Sequence, residues 1–106
     1  MRKFVLGSSP EQVRALLPNR KIMPVSLGGV KIAVVRINDD FFAFERLCPH
    51  QKTSLEEGNI NAYQEVICPL HHYRFDLHTG EVRSGDCRDL QIYKANLRDN
   101  GLEITF

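Results

Sequence analysis

The residues of this chain that are best suited to chemistry lie in two short segments, Cys48-Pro49-His50 and Cys68-Pro69-Leu70-His71. Each segment supplies one thiolate and one imidazole, so together they offer two sulfur and two nitrogen ligands. That set fits a [2Fe–2S] cluster with two Cys on one iron and two His on the other. A structural zinc ion also accepts two Cys and two His.

The spacing within each pair helps to distinguish these interpretations. Only one residue separates Cys48 from His50, which is too short for an easy chelate of both side chains on one tetrahedral ion. Two adjacent irons remove this difficulty, because neighbouring side chains can then bind different metals. Zinc sites usually separate paired ligands by two to four residues, a condition that Cys68 and His71 meet and the first pair does not. Zinc, or four unrelated residues in turns, remain the alternatives.

The pattern Cys-x-His followed by Cys-x-x-His resembles the Rieske iron–sulfur family. The residues that follow the two pairs strengthen the resemblance: Leu55 and Gly58, then Arg74-Phe75-Asp76 and Thr79-Gly80. It extends over about residues 21–106 and implies cluster-binding loops at about 46–58 and 68–76. The implied ligands of one [2Fe–2S] cluster are Cys48 and Cys68 on a buried iron and His50 and His71 on an outer iron.

Three positions in these loops indicate which kind of Rieske protein the chain resembles. Thr53 and Leu70 stand where respiratory-type members carry an extra pair of Cys joined as a disulfide. Tyr73 stands where high-potential members place a Ser hydroxyl that donates to a bridging sulfide. Fewer hydrogen bonds to the sulfurs lower the potential. The resemblance is therefore to the low-potential ferredoxin type, with a potential near the lower end of the roughly −150 to +300 mV Rieske range.

Several neighbouring residues depart from the family pattern or receive no metal role. His72 occupies a position that is usually Gly, where φ > 0 is readily tolerated. The segment 84–88 lacks the proline of the loop that covers the cluster in the family, so a looser cover is expected. Neither His72 nor His78 is assigned as a ligand. Cys87 is left unpaired, and we interpret it as a small packed residue without chemistry, although it could line the site.

Length and composition favour a small carrier. The 106 residues predict one domain spanning 1–106, and the net charge of +1 gives no case for a nucleic-acid or membrane partner. The apolar run Phe4-Val5-Leu6 is too short for a signal-peptide core, and no later run could span a bilayer. Three Cys, two of them ligands, offer no disulfide framework. We therefore expect a cytoplasmic protein.

The rest of the chain, which holds the two loops in place, is predicted to form short strands separated by turn residues. A short helix is predicted at 10–17, with Ser9 as N-cap, Pro10 in its first turn and Gln12 completing a capping box. Strands are predicted at 22–27, 30–37, 40–47, 63–67, 73–77, 90–97 and 102–106, and an apolar piece at 3–6 precedes the helix. Pro24 marks an edge strand, Gly28-Gly29 predicts a hairpin and Asn38-Asp39 predicts a turn. The predicted fold class is all-β. The resemblance implies three antiparallel sheets with a small cluster-binding subdomain. Phe41, Phe42, Phe44 and Phe75 are predicted core residues.

The resemblance implies a one-electron carrier that passes electrons from a reductase to a terminal oxygenase or another redox acceptor. The chain itself is not expected to be an enzyme, because it has no room for a catalytic domain and lacks a nucleotide-binding Gly-rich fingerprint. One alternative is a small subunit of an assimilatory nitrite reductase, which shares the fold. Another is a zinc-bound or metal-free binding module. Arg46, Lys52 and Arg74 lie near the ligands, where they either favour an acidic partner or form a solvated rim.

Overall fold

The computed structural model describes residues 2–106, and its regular structure is mostly antiparallel β. The strands are β1 Lys3–Leu6, β2 Ile22–Leu27, β3 Val30–Ile37, β4 Asp40–Glu45, β5 Asn59–Ile60, β6 Glu65–Ile67, β7 Arg74–Asp76, β8 Val82–Ser84, β9 Ile92–Arg98 and β10 Gly101–Thr105. One α-helix, α1, spans Pro10–Leu16, and a 3-10 turn spans Leu55–Glu57. The predicted all-β class with one short N-terminal helix is confirmed.

The strands are antiparallel and form a six-stranded sheet and a four-stranded sheet; the three sheets that the resemblance implied correspond to the two halves of the first and to the second. One half has the order β1-β10-β9 and the other has the order β4-β3-β2. They join where β4 meets β9, with Ala43 opposite Tyr93 and Phe44 opposite Ile92, so that six strands run continuously. The sheet β5-β6-β7-β8 is separate, and the second cluster-binding loop connects its strands β6 and β7.

Local sequence explains the hairpins of the larger sheets. Gly28 and Gly29 connect β2 to β3 with φ of 57° and 84°, the left-handed conformations that a tight hairpin requires. Asn38 connects β3 to β4 with φ of 56°. Pro24, which cannot donate a backbone hydrogen bond, lies in β2 at the edge of the six strands, as predicted.

The helix begins where the sequence predicts and ends one residue early. The Ser9 side chain accepts the Gln12 N–H at 3.2 Å, which is half of a capping box. The other half is replaced, because Gln12 Oε1 accepts a hydrogen bond from the Ser8 hydroxyl at 2.7 Å. Val13 and Leu17 are buried against the inner face of the larger sheets.

Two apolar cores lie on opposite faces of β3, which explains its unbroken run of buried apolar residues, Ile32-Ala33-Val34-Val35. Ile32 and Val34 face the helix-side core, whereas Ala33 and Val35 face a second core beneath the β5–β8 sheet. The second core also contains Phe42, Phe44, Phe75, Cys48 and Cys68. Three of the four predicted core Phe are therefore buried, and Phe41 is half-buried against the helix-side core.

Some strand boundaries differ from the prediction. The strand predicted at 63–67 begins at Glu65, because Asn61 Oδ1 accepts the N–H groups of Tyr63 and Glu65 and folds 61–64 into a turn. Tyr63 is 80% exposed as a result. The strand predicted at 40–47 ends at Glu45, where the first metal loop begins, and the strand predicted at 90–97 starts at Ile92.

The strands predicted at 73–77 and 102–106 differ by one residue at each end, and the short β5 and β8 were not predicted. Within residues 2–106, no helix is long and apolar enough to cross a membrane.

Candidate metal centre

The structure brings the four predicted ligands together at one edge of the second core. Cys48 and Cys68 are 0% and 1% exposed, and both belong to the second core. His50 is half-buried and His71 is exposed, with ring centroids 5.3 Å apart. The thiols therefore face the interior and the imidazoles lie towards the surface.

Each Cys begins a loop that is closed by the same backbone hydrogen bond. The Cys48 N–H donates to the Thr53 carbonyl at 2.8 Å, and the Cys68 N–H donates to the Tyr73 carbonyl at 2.8 Å. In the first loop, the Lys52 N–H also donates to the Cys48 carbonyl at 2.8 Å. These bonds fix the two loops without a disulfide.

Left-handed backbone is concentrated in these loops. Lys52 has φ of 60° in the first loop, and His71 and His72 have φ of 62° and 56° in the second. Each such non-Gly residue costs about 1–2 kcal/mol. His72 therefore adopts the left-handed conformation that Gly would adopt at this position. The preceding residue, His71, adopts it as well.

Burial favours the neutral form of the Cys68 thiol. Burial raises the pKa of Cys68 to about 11; the Leu70 N–H opposes this shift, and the neighbouring Cys48 thiol adds to it. Because iron binds the thiolate, a cluster held by Cys68 would displace the proton of this thiol, and its binding would be favoured as pH rises.

The imidazoles provide a test of whether the site fits a cluster. Nδ1 of His50 is buried and has no hydrogen-bond partner among the described residues. A buried polar atom without a partner costs about 1–3 kcal/mol, and a bond to iron removes this cost. Within residues 2–106, no three Cys, His, Asp or Glu side chains converge on a point that could hold a single ion. A [2Fe–2S] cluster needs only two protein ligands at each iron, so the four side chains fit it.

The loop 84–88, for which we expected a looser cover, is held by specific contacts. Arg88 donates two hydrogen bonds to the Glu45 carboxylate at 2.8 and 2.9 Å. Burial by itself would raise the pKa of Glu45, but the Arg88 guanidinium and the Gln91 N–H hold it below its usual range. Gly85 packs against the Tyr73 ring. Sequence reasoning missed the Glu45–Arg88 pair, because nothing local links residues this far apart.

The residues that were given no metal role lie outside the ligand set. His72 is exposed, and Nε2 of His78 contacts Gln64 Oε1 at 2.5 Å beside the edge of Phe42. Cys87 is half-buried against the second core, and burial raises the pKa of its thiol.

The charged rim is narrower than the sequence suggested. Arg46 Nε pairs with Glu56 at 3.0 Å, and Arg74 pairs with Glu65 at 2.9 Å. Lys52 makes no ion pair within residues 2–106, and it lines a cleft of about 240 Å³ that also includes Lys31 and the exposed Leu47. Lys52 and Lys31, unlike the two arginines, therefore lack an ion-pair partner within residues 2–106, although the Glu45 carboxylate lines the same cleft and senses the charge of Lys52.

Residues 10–94 match the family model of the Rieske [2Fe-2S] domain. The biphenyl dioxygenase ferredoxin subunit of Pseudomonas sp. strain KKS102 is 30% identical over 91 residues, covering 85% of this chain and 84% of that protein.

Two solved structures share the fold. The ferredoxin of carbazole 1,9a-dioxygenase from Nocardioides aromaticivorans IC177 has a TM-score of 0.83 at 24% identity, covering 98% of this chain and 97% of the other. A protein from Mycobacterium tuberculosis named as an NADH-dependent nitrite reductase small subunit has a TM-score of 0.81 at 15% identity, covering 97% and 93%. At these identities the likeness concerns the fold alone.

Proposed function

The chain belongs to the Rieske [2Fe–2S] domain family, and from this premise we propose that Cys48 and Cys68 bind one iron of its cluster and His50 and His71 the other. One [2Fe–2S] cluster is its cofactor, and the chemistry that this group supplies is the uptake and release of one electron. The protein is an electron carrier rather than a catalyst.

The observation that carries the ligand assignment is the opposite exposure of the two residue types. The buried thiols of Cys48 and Cys68 exclude water from the inner side of the site. The His71 ring is exposed, so it offers the short approach distance that electron transfer to a partner requires. Interfaces for such transfer are small, typically under about 1,200 Å², so a few exposed residues around His71 suffice.

The partners follow from the relatives. We propose that the protein takes electrons from a reductase and delivers them to a terminal oxygenase, since the sequence relative reported above is named as the ferredoxin subunit of a dioxygenase. The likeness to a nitrite reductase small subunit rests on the fold alone and gives no separate support to that alternative.

Two further features belong to the same proposal. The 106 residues form one domain, with cluster-binding loops at about 46–58 and 68–76; the continuity of both cores through β3 supports this. The protein works in the cytoplasm, where thiols stay reduced. All three cysteines are free, which supports that location.

The test is to purify the protein with its metal and to measure iron, zinc and acid-labile sulfide. Two irons and two sulfides per chain, and uptake of one electron from dithionite with a reduced-state EPR signal, are expected. The reduced protein should then donate its electron to a dioxygenase component and be reduced again by a flavin-dependent reductase. Zinc without sulfide would overturn the proposal.

A further inference from the structure

An aromatic side chain covers one of the two imidazoles. The Tyr73 ring lies on the His50 ring with centroids 4.0 Å apart and an interplanar angle of 11°. Both side chains are half-buried. Sequence reasoning treated Tyr73 only as the absence of a Ser hydroxyl, whereas the structure gives its ring a contact of its own.

The position of Tyr73 is fixed from three sides. Its carbonyl accepts the Cys68 N–H, so its backbone belongs to the second metal loop. Gly85, with φ of 134°, lies against the ring, and a Cβ at that position would overlap ring atoms. The loop that carries Gly85 is tied to β4 through the two hydrogen bonds from Arg88 to Glu45. The Tyr73 ring therefore contacts both Gly85 and His50.

The other imidazole lacks such a cover. His71 is exposed, and its one aromatic neighbour within residues 2–106 is His50, at a tilted angle of 51°. The two imidazoles of the site consequently have different surroundings. One is stacked and partly shielded from water, and the other meets solvent.

We propose that Tyr73 is a positioning residue that fixes the plane of His50 and lowers the reduction potential of the site. This inference rests on the proposed function. The face of an aromatic ring carries negative charge, and the ring also keeps water from one side of His50. Adding one electron makes the site more negative, so both effects favour the oxidised form.

Two substitutions at Tyr73 separate the ring from its hydroxyl. Tyr73→Phe keeps the stacked ring, and we expect the potential to stay close to that of the unaltered protein. Tyr73→Leu removes the ring. At the midpoint potential of the unaltered protein, with dithionite supplying the electron, we expect its reduced-to-oxidised ratio to rise by about two- to tenfold, the range set by aromatic pair strengths.

One further variant is a control for loss of a Tyr elsewhere, and another disturbs the stack without changing Tyr73. Tyr63→Leu removes an exposed Tyr from a turn and should leave the potential unchanged. Gly85→Ala pushes the Tyr73 ring aside without altering Tyr73 itself, and it should shift the potential in the same direction as Tyr73→Leu. Tyr73→Leu removes the ring and Gly85→Ala displaces it, so if one of these two variants fails to fold, the potential of the other still tests the inference.

A second measurement uses the protein without its cluster. The Tyr73 ring current should move the His50 ring-proton NMR signals upfield of those of His72, and this shift should persist in Tyr73→Phe and disappear in Tyr73→Leu. Unchanged potentials in both Tyr73→Leu and Gly85→Ala, with a cluster bound, would overturn the inference alone. Failure of the unaltered protein to bind iron and sulfide overturns the proposed function, and this inference with it.

Discussion

The two metal loops begin alike and present their imidazoles differently. Each starts with Cys-Pro and is closed by a hydrogen bond from the Cys N–H to the carbonyl five residues later, Thr53 in the first loop and Tyr73 in the second. The His is the second residue after the Cys in the first loop and the third in the second. His50 thus keeps an ordinary backbone, whereas His71 falls on the left-handed part of its loop.

This one-residue difference has a structural consequence. His50 lies half-buried under Tyr73 with its Nδ1 out of contact with water, whereas His71 is exposed and is followed by a second left-handed residue, His72. The first loop therefore achieves shielding at low backbone strain, and the second achieves exposure at higher strain. Strain of this kind persists only where the surrounding structure enforces it.

The largest effect is expected from removing the ligands, which tests whether both loops are equally necessary. Replacing Cys48 or Cys68 with Ser, or His50 or His71 with Ala, should abolish bound iron, acid-labile sulfide and the reduced-state EPR signal. An iron that keeps one protein ligand is open to water and is released.

His72→Ala and His78→Ala are the matched controls for the ligand variants and should retain the cluster. A full cluster after loss of either predicted imidazole would contradict the assignment of that loop.

The strain of the second loop can be relieved. His72→Gly should raise the free energy of unfolding of the metal-free protein by about 1 kcal/mol, because Gly adopts positive φ without the Cβ clash. Urea denaturation measures the change. His78→Gly is the control, since His78 lacks positive φ and Gly there should destabilise by about 0.5–1 kcal/mol. If both variants lose stability, the left-handed residue is not a source of strain.

Lys52 places a positive charge in the first loop, and reversing this charge tests whether that loop contacts the reductase. Lys52→Glu should slow reduction by the native reductase about two- to threefold at low salt, and the difference should shrink as ionic strength rises. Stopped-flow kinetics measure the rate. Lys3→Glu, on the exposed side of β1, makes the same charge change away from the site and should have little effect. Equal rates for Lys52→Glu and the unaltered protein at low salt would remove Lys52 from the docking face.

The smallest expected effect is the loss of folding stability in acid when the Glu45–Arg88 pair, which holds the loop 84–88, is broken. The pKa of Glu45 is depressed in the folded protein, so the stability that its pairing provides is present above the unfolded value of 4.5 and is lost as pH falls through the folded value. Because Arg88 is largely exposed, we expect only about 0.5 kcal/mol.

The acid effect is measured by comparing the unfolding free energy of Glu45→Gln and the unaltered protein from about pH 6 to about pH 3. The difference between them should narrow in acid. The exposed Glu57, which makes no ion pair in the described part of the chain, provides the control variant Glu57→Gln, and its difference should not change with pH. A constant difference for Glu45→Gln would contradict the role of the pair.

Sequence reasoning succeeded where the signal is local. Gly28-Gly29 and Asn38 predicted the hairpins, because a tight turn needs left-handed residues at fixed positions. It failed at Tyr63, whose aromatic side chain suggested a strand, because the neighbouring Asn61 binds the backbone N–H groups that a strand would use. It also missed β5 and β8, which are too short to show a periodic pattern.

The sequence by itself determined which residues are the candidate ligands, because metal chemistry limits which residue types can bind and the one- and two-residue spacings are visible in the chain. Only the tertiary structure decided which side chains surround the candidate ligands. These contacts are the Tyr73 ring on His50, the hydrogen bonds from Arg88 to Glu45, and the ion pairs that neutralise Arg46 and Arg74. The physical reason is that such contacts join segments brought together by packing of the second core. No local pattern of residues records which of them will meet.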